Sequence, residues 1–121
     1  MMDIYVMPRA SGKTTMLIHK SHDTQIPILV SDLRRAKYVE ELAKNLCIDI
    51  PEPLTVGSNR VWHCRSVLVD DLDSVVGAMF RTLGFIPVEA TMSTNYELDV
   101  HFITEYLKED YDVWKKTRWQ K

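Results

Sequence analysis

Residues Ser11-Gly12-Lys13-Thr14-Thr15 stand between a short apolar run and an amphipathic stretch, near the start of the sequence. The run Ile4-Tyr5-Val6-Met7 predicts a buried strand, and the stretch from Thr14 to His19 predicts the helix that follows it. A strand, a tight turn and a helix N-terminus in that order bring several backbone N–H groups to bear on one anion. Arg9, Ala10, Ser11, Gly12, Lys13, Thr14 and Thr15 would then surround a phosphate group. Lys13 adds a point charge for the β- and γ-phosphates, where it would serve binding and catalysis alike, and the Thr14 hydroxyl is placed to ligate an accompanying magnesium ion. The full spacing pattern for such a loop is GxxxxGK[ST], and here Met7 takes the place of the first glycine. Gly12, the residue that lets the backbone approach a phosphate closely, is kept.

At 121 residues, 45% of them hydrophobic, the chain supports one compact domain, 1–121, with one core. A net charge of −2 gives no electrostatic bias toward nucleic acid or membrane. No apolar stretch approaches the roughly 20 residues of a membrane span, and the first strand begins too early to leave room for a signal peptide. Cys47 and Cys64 have no CxxC partner and read as reduced, buried thiols of a cytoplasmic protein.

Strand and helix patterns alternate along the rest of the chain. Pro27 to Val30 reads as a second strand, with Ser31 or Asp32 capping a helix whose apolar face is Leu33, Ala36, Val39, Leu42, Ala43 and Leu46. A brief strand at Leu54 to Val56 and a stronger one at Ser66 to Val69 follow. Leu72, Val75, Val76, Met79, Phe80 and Leu83 trace the next helix face, with Gly84 as its C-cap. Pro87 to Met92 reads as a last strand. Thr94 and Glu97 form a capping box for a final helix carrying Leu98, Phe102, Ile103, Tyr106, Leu107, Tyr111 and Trp114. Alternation of this kind predicts an α/β fold, a three-layer α/β/α sandwich around a mainly parallel sheet of about five strands. Ligands of such sheets bind at the carboxyl ends of the strands.

Two further polar clusters fall at those ends. Ser66-Val67-Leu68-Val69 ends in Asp70-Asp71. Asp70 is placed to hold magnesium, usually through a bound water, and Asp71 to orient or deprotonate an attacking water. The ordinary alternative is a helix N-terminus with two dipole-matched acids, which is also the reading of Asp73. After the last strand come Thr91, Ser93, Thr94 and Asn95, any of which is a candidate sensor of the γ-phosphate, or simply a helix cap.

Residues 7–15, Val30 to Ala36, Val67 to Asp71 and Val88 to Asn95 together resemble the phosphate loop, second-strand motif, metal motif and sensor motif of P-loop NTPases. Their order is similar to that in the first RecA-like lobe of helicases and phage terminase motors, and the whole chain resembles small P-loop proteins of bacteriophages. The resemblance implies a single nucleotide-binding domain that takes ATP or another NTP with Mg2+, located in the cytoplasm of the host cell. Helicases of this type carry a second lobe that supplies arginine fingers, which this chain does not have. The resemblance therefore implies slow or partner-dependent hydrolysis, with the arginine donated by a nucleic-acid or protein partner or by another copy in a homo-oligomer. Arg34 and Arg35 are candidates for such a surface, against the commoner role of solvated first-turn residues.

Other residues carry weaker signals. His19 and His22 have a metal-compatible spacing without a third ligand, and His63 beside Cys64 is no stronger. The tail from Trp114 to Lys121 mixes basic and aromatic residues, a pattern for gripping a single strand or, more simply, a helix end. Two alternatives to an ATPase stay open. One is a nucleoside or nucleotide kinase, for which the chain has no zinc-bearing lid cysteines and little spare length. The other is a non-catalytic nucleotide-binding module that acts by regulation or interaction.

Overall fold

The structure, a computed structural model, describes residues 2–58, 64–91, 98–103, 106, 107 and 112. Its elements run β1 (Met2–Val6), α1 (Lys13–Thr24), β2 (Ile28–Val30), α2 (Leu33–Asn45), β3 (Leu54–Thr55), β4 (Leu68–Val69), α3 (Leu72–Thr82) and β5 (Leu98–Phe102). This is an α/β chain with three helices and five strands among the described residues, and every strand pairing is parallel. The strands form a two-stranded sheet, β1-β5, and a three-stranded sheet, β3-β2-β4. The chain groups into two compact units, one of Met1–Met16 with Thr91–Lys121 and one of Leu17–Ala90. Among the described residues, no helix is long and apolar enough to cross a membrane.

In the larger unit, β2 is the middle strand and all three of its residues are buried. A continuous apolar run suits a strand covered on both faces. Its alternating side chains divide between two clusters, as a period of two requires. Ile28 and Val30 join Ile18 of α1 and Ala36, Val39 and Ala43 of α2. Leu29 joins Leu54 of β3 and Val75 of α3. Helices α1 and α2 therefore cover one face of this sheet and α3 the other.

The helix ends follow from local chemistry. Asp32 caps α2, its carboxylate accepting the backbone N–H of Arg35 at 2.9 Å. At the other end Cys47 adopts a left-handed φ of 58° while the Ile48 amide reaches back to the Ala43 carbonyl at 2.9 Å. That closure more often employs glycine, as α3 does at Gly84 with φ 85°. Neither Cys47 nor Cys64 is in a disulfide, and Cys47 is exposed rather than buried. The reason is its place just past a helix end, outside the apolar face.

In the smaller unit, β1 pairs with β5 in register from Met2 opposite Leu98 to Val6 opposite Phe102. Tyr5 lies opposite His101, and their rings stack 4.7 Å apart at 15°. The Nε2–H of His101 donates to Asp3 Oδ1 at 3.0 Å. This polar and aromatic set makes β1 half-buried, not the fully buried strand that its composition suggests.

The C-terminal third corrects two sequence expectations. Residues 87–91 are not a strand: the whole stretch from Arg81 to Thr91 is exposed, with Ile86 at 87% and Val88 at 88%. The pairing partner of β1 comes later, at Leu98–Phe102, where a helix face was expected. Leu-Asp-Val-His-Phe alternates apolar and polar residues, and parallel pairing with β1 selects that period of two over the i,i+4 spacing of Leu98 and Phe102. The capping box at Thr94 and Glu97 lies outside the described residues, as do His63, Tyr111, Trp114 and the rest of the tail to Lys121. The apolar face of α3 is also corrected. Val75 and Ala78 are buried, whereas Leu72, Val76, Met79, Phe80 and Leu83 are exposed.

Ile18 is fully buried between α1 and the β2 face. Ile18→Ala is expected to cost about 2–5 kcal/mol through lost burial and the cavity left behind. Urea unfolding followed by circular dichroism checks it, and a cost under about 1 kcal/mol would contradict this packing.

Candidate functional site

The smaller unit holds the predicted phosphate loop. Because β1 and β5 are parallel, the chain leaves both at the same end. Residues 7–12 follow Val6, and Ile103 and Tyr106 follow Phe102. The Ile103 amide donates to Val6 O at 3.1 Å, and the Tyr106 amide donates to Ser11 O at 2.8 Å. Ser11 is buried, and its hydroxyl donates to Pro8 O at 2.5 Å. The turn is thus held internally by Ser11 and externally by the backbone after β5.

Within it the backbone changes hand. Ala10 has φ 58° and Gly12 has φ 92°, with Lys13 opening α1 directly afterwards. Where left-handed and right-handed residues alternate, successive N–H groups can turn toward one side, the arrangement found in anion-binding concavities. The first intrahelical bond of α1 runs from the Met16 amide to Gly12 O at 2.9 Å. The first amides of α1 lie at the positive end of the helix dipole. Gly12 is required twice over. Its φ suits glycine, and an added Cβ would sit 3.1 Å from Cβ of Tyr106. Arg9 and Ala10 are exposed, Lys13 and Thr15 are half-buried and Thr14 is buried.

The larger unit holds the second cluster. Here β2 and β4 are parallel, so Asp32 and Arg35 beyond one strand and Asp70 and Asp71 beyond the other leave the same sheet edge. Asp70 is 1% exposed, and its Oδ2 accepts the Nε–H of Arg35 at 3.0 Å. Its own amide donates to Leu29 O at 3.0 Å, which fixes the backbone beside β2. Arg35 is therefore not the solvated first-turn residue that its sequence position suggests. The available signal was a cation on the unfavourable end of a helix with no acid in that turn. Asp71 is exposed at the N-cap of α3 and adopts φ 63°, ψ 75°, left-handed for a residue with a side chain. Its Oδ2 accepts the Ser74 hydroxyl at 2.8 Å. It makes no side-chain cap bond to the helix backbone.

The remaining candidates are more scattered. Thr91 is exposed and outside any strand, while Ser93, Thr94 and Asn95 lie outside the described residues. His22 donates from Nδ1 to Asp49 O at 2.6 Å, which gives it a structural bond in place of a ligand role. Among the described residues, no three of His, Cys, Asp and Glu converge as a metal-holding group. Magnesium bound with a nucleotide takes most of its ligands from phosphate and water and needs only one or two protein oxygens. Thr14 offers a hydroxyl of that hard-oxygen class in the smaller unit, and Asp70 a carboxylate in the larger unit. No family model, curated protein or solved structure matches the chain.

Two outcomes follow from these contacts. Gly12→Ala is expected to destabilise the protein by at least about 1 kcal/mol, because alanine is strained at that φ; a thermal midpoint equal to the parent's would show the turn to be formed differently. For the ion pair, removing Arg35 takes a cationic partner from a buried carboxylate, whereas Asp70→Asn keeps an acceptor and leaves an arginine that can reach solvent. Arg35→Ala should cost about 3 kcal/mol and Asp70→Asn about 1 kcal/mol in urea unfolding at neutral pH. The reverse order would mean that Arg35, not Asp70, is the buried partner.

Proposed function

We propose that this chain is a minimal P-loop domain that binds a magnesium nucleotide, ATP or another NTP, through the loop at residues 9–15. The observation that carries this reading is the alternation of backbone hand at Ala10 and Gly12 directly before a helix that opens with Lys13 and Thr14. Main-chain amides and the helix end would receive the polyphosphate, and the Lys13 ammonium would add charge-assisted hydrogen bonds. The Thr14 hydroxyl would be a magnesium ligand beside the phosphates, and the ion would neutralise charge on the phosphates when bound. The three-layer P-loop core is the fold we assign to the whole chain on this basis.

The state of the acidic residues favours one variant of this reading. Asp70 is engaged by Arg35, and Asp71, the candidate for positioning water, is bonded to Ser74. Both carboxylates have side-chain partners. Binding with little turnover by the isolated domain fits that arrangement better than brisk hydrolysis. A nucleic-acid or protein partner, or a second copy, would supply the arginine that fast hydrolysis requires.

Titration calorimetry with MgATP and MgGTP tests the proposal. Lys13→Ala is expected to weaken binding about tenfold to a hundredfold, the range for a lost hydrogen bond to a charged group. Equal affinity in parent and variant, or no binding by the parent at millimolar nucleotide, would overturn it.

A further inference from the structure

Tyr106 meets the turn between β1 and α1 at a single peptide. Its backbone N–H donates to Ser11 O at 2.8 Å. Its Cβ lies against Gly12, 3.1 Å from where a Cβ would stand there, with ring atoms Cδ1 and Cγ at 3.6 and 3.8 Å. The Ser11–Gly12 peptide is trans and planar, so its carbonyl and its N–H point in opposite directions. Ser11 O faces Tyr106, and the Gly12 N–H therefore faces away from it. Glycine leaves this orientation open to reversal. A flip of the peptide would change ψ of Ser11 and φ of Gly12 together, taking Gly12 from φ 92° to about −90°, and glycine populates both signs about as readily. The other bonds of the turn do not fix this plane. The Ser11 hydroxyl holds Pro8 O, and the Gly12 carbonyl that takes the Met16 amide belongs to the next peptide.

We propose that the Tyr106 amide is a latch on the Ser11–Gly12 peptide, holding the Gly12 N–H in the orientation that receives a phosphate. The proposal rests on the nucleotide reading given above. With the latch closed, the turn offers an anion an N–H; with the peptide flipped, it offers a carbonyl oxygen, which repels an anion. Tyr106 is a positioning residue here, acting through Gly12. The coupling is reciprocal. A polyphosphate on the loop favours the closed latch, and release of the chain after β5 lets the peptide turn and costs the site a donor. Affinity at residues 9–15 is thus regulated from the far end of the sequence, through a segment that adds no side chain to the phosphate loop.

Two measurements on the full chain test this. In the first, the Tyr106 amide is replaced by an ester, through ribosomal incorporation of the matching α-hydroxy acid, which deletes the N–H and keeps the ring. Calorimetry should show inorganic tripolyphosphate and MgATP both bound about threefold to tenfold more weakly than by the parent, the worth of one hydrogen bond. Tyr106→Phe, which keeps the amide, should bind as the parent does; a loss as large as the ester's would place the effect in the phenol and overturn the latch. In the second, hydrogen exchange of the Tyr106 amide is followed by NMR in the unaltered chain. It should slow about tenfold with tripolyphosphate at ten times its Kd, a result that holds even where the ester variant does not fold. If the parent binds tripolyphosphate while the folded ester variant binds it equally well, or while Tyr106 exchange does not change, the latch is wrong and the nucleotide reading stands. If the parent binds neither ligand, the nucleotide reading fails and the latch fails with it.

Discussion

Parallel pairing is the constraint from which the rest of this structure follows. It sends the carboxyl ends of paired strands to one edge, so that residues far apart in sequence leave the sheet side by side. In the larger unit this joins Arg35 to Asp70 across 35 positions, and it does so only because β2 is apolar enough to be covered on both faces. In the smaller unit the same rule brings Tyr106 to Ser11 and Gly12. Neither contact is local, and both depend on strands of two to five residues whose register is held by the side chains beneath them.

Much of the fold was legible in the sequence because its elements are short and their signals do not compete. The apolar run before Ser31, the Asp32 cap and Gly84 at the end of α3 each mark their element by a distinct chemistry. The failures occur where two periods fit one segment. Leu98 to Phe102 satisfies a helical spacing and a strand alternation together, and the partner strand decides between them. Pro87 to Thr91 has the composition of a strand but no neighbour to pair with among the described residues. The apolar positions of α3 were read as one face, whereas the two buried residues, Val75 and Ala78, lie to one side of the exposed stripe.

The candidate site was legible to a different degree in its two halves. The turn from β1 into α1 was legible through Gly12, whose positive φ suits glycine. Its anchoring by Tyr106 was not visible, because a backbone amide donor leaves no trace in residue identity. Asp70 was recognisable as an acid at a strand end, but its partner was not, since an arginine in the first turn of a helix is ordinarily solvated. Burial to 1% changes the chemistry of that carboxylate, because a buried charge is costly unless it is paired and hydrogen-bonded. Asp71, one residue on, is exposed and backbone-strained, so adjacent and chemically identical side chains have quite different surroundings.

The segment Leu83-Gly84-Phe85-Ile86-Pro87-Val88 is apolar and exposed. Such a run, apolar and of low charge, is the raw material of cross-β assembly. Pro87 interrupts it at the centre of its most exposed part, between Ile86 and Val88, and having no N–H it cannot complete a ladder of stacked strands. A proline so placed is a gatekeeper of the kind that breaks aggregation-prone windows.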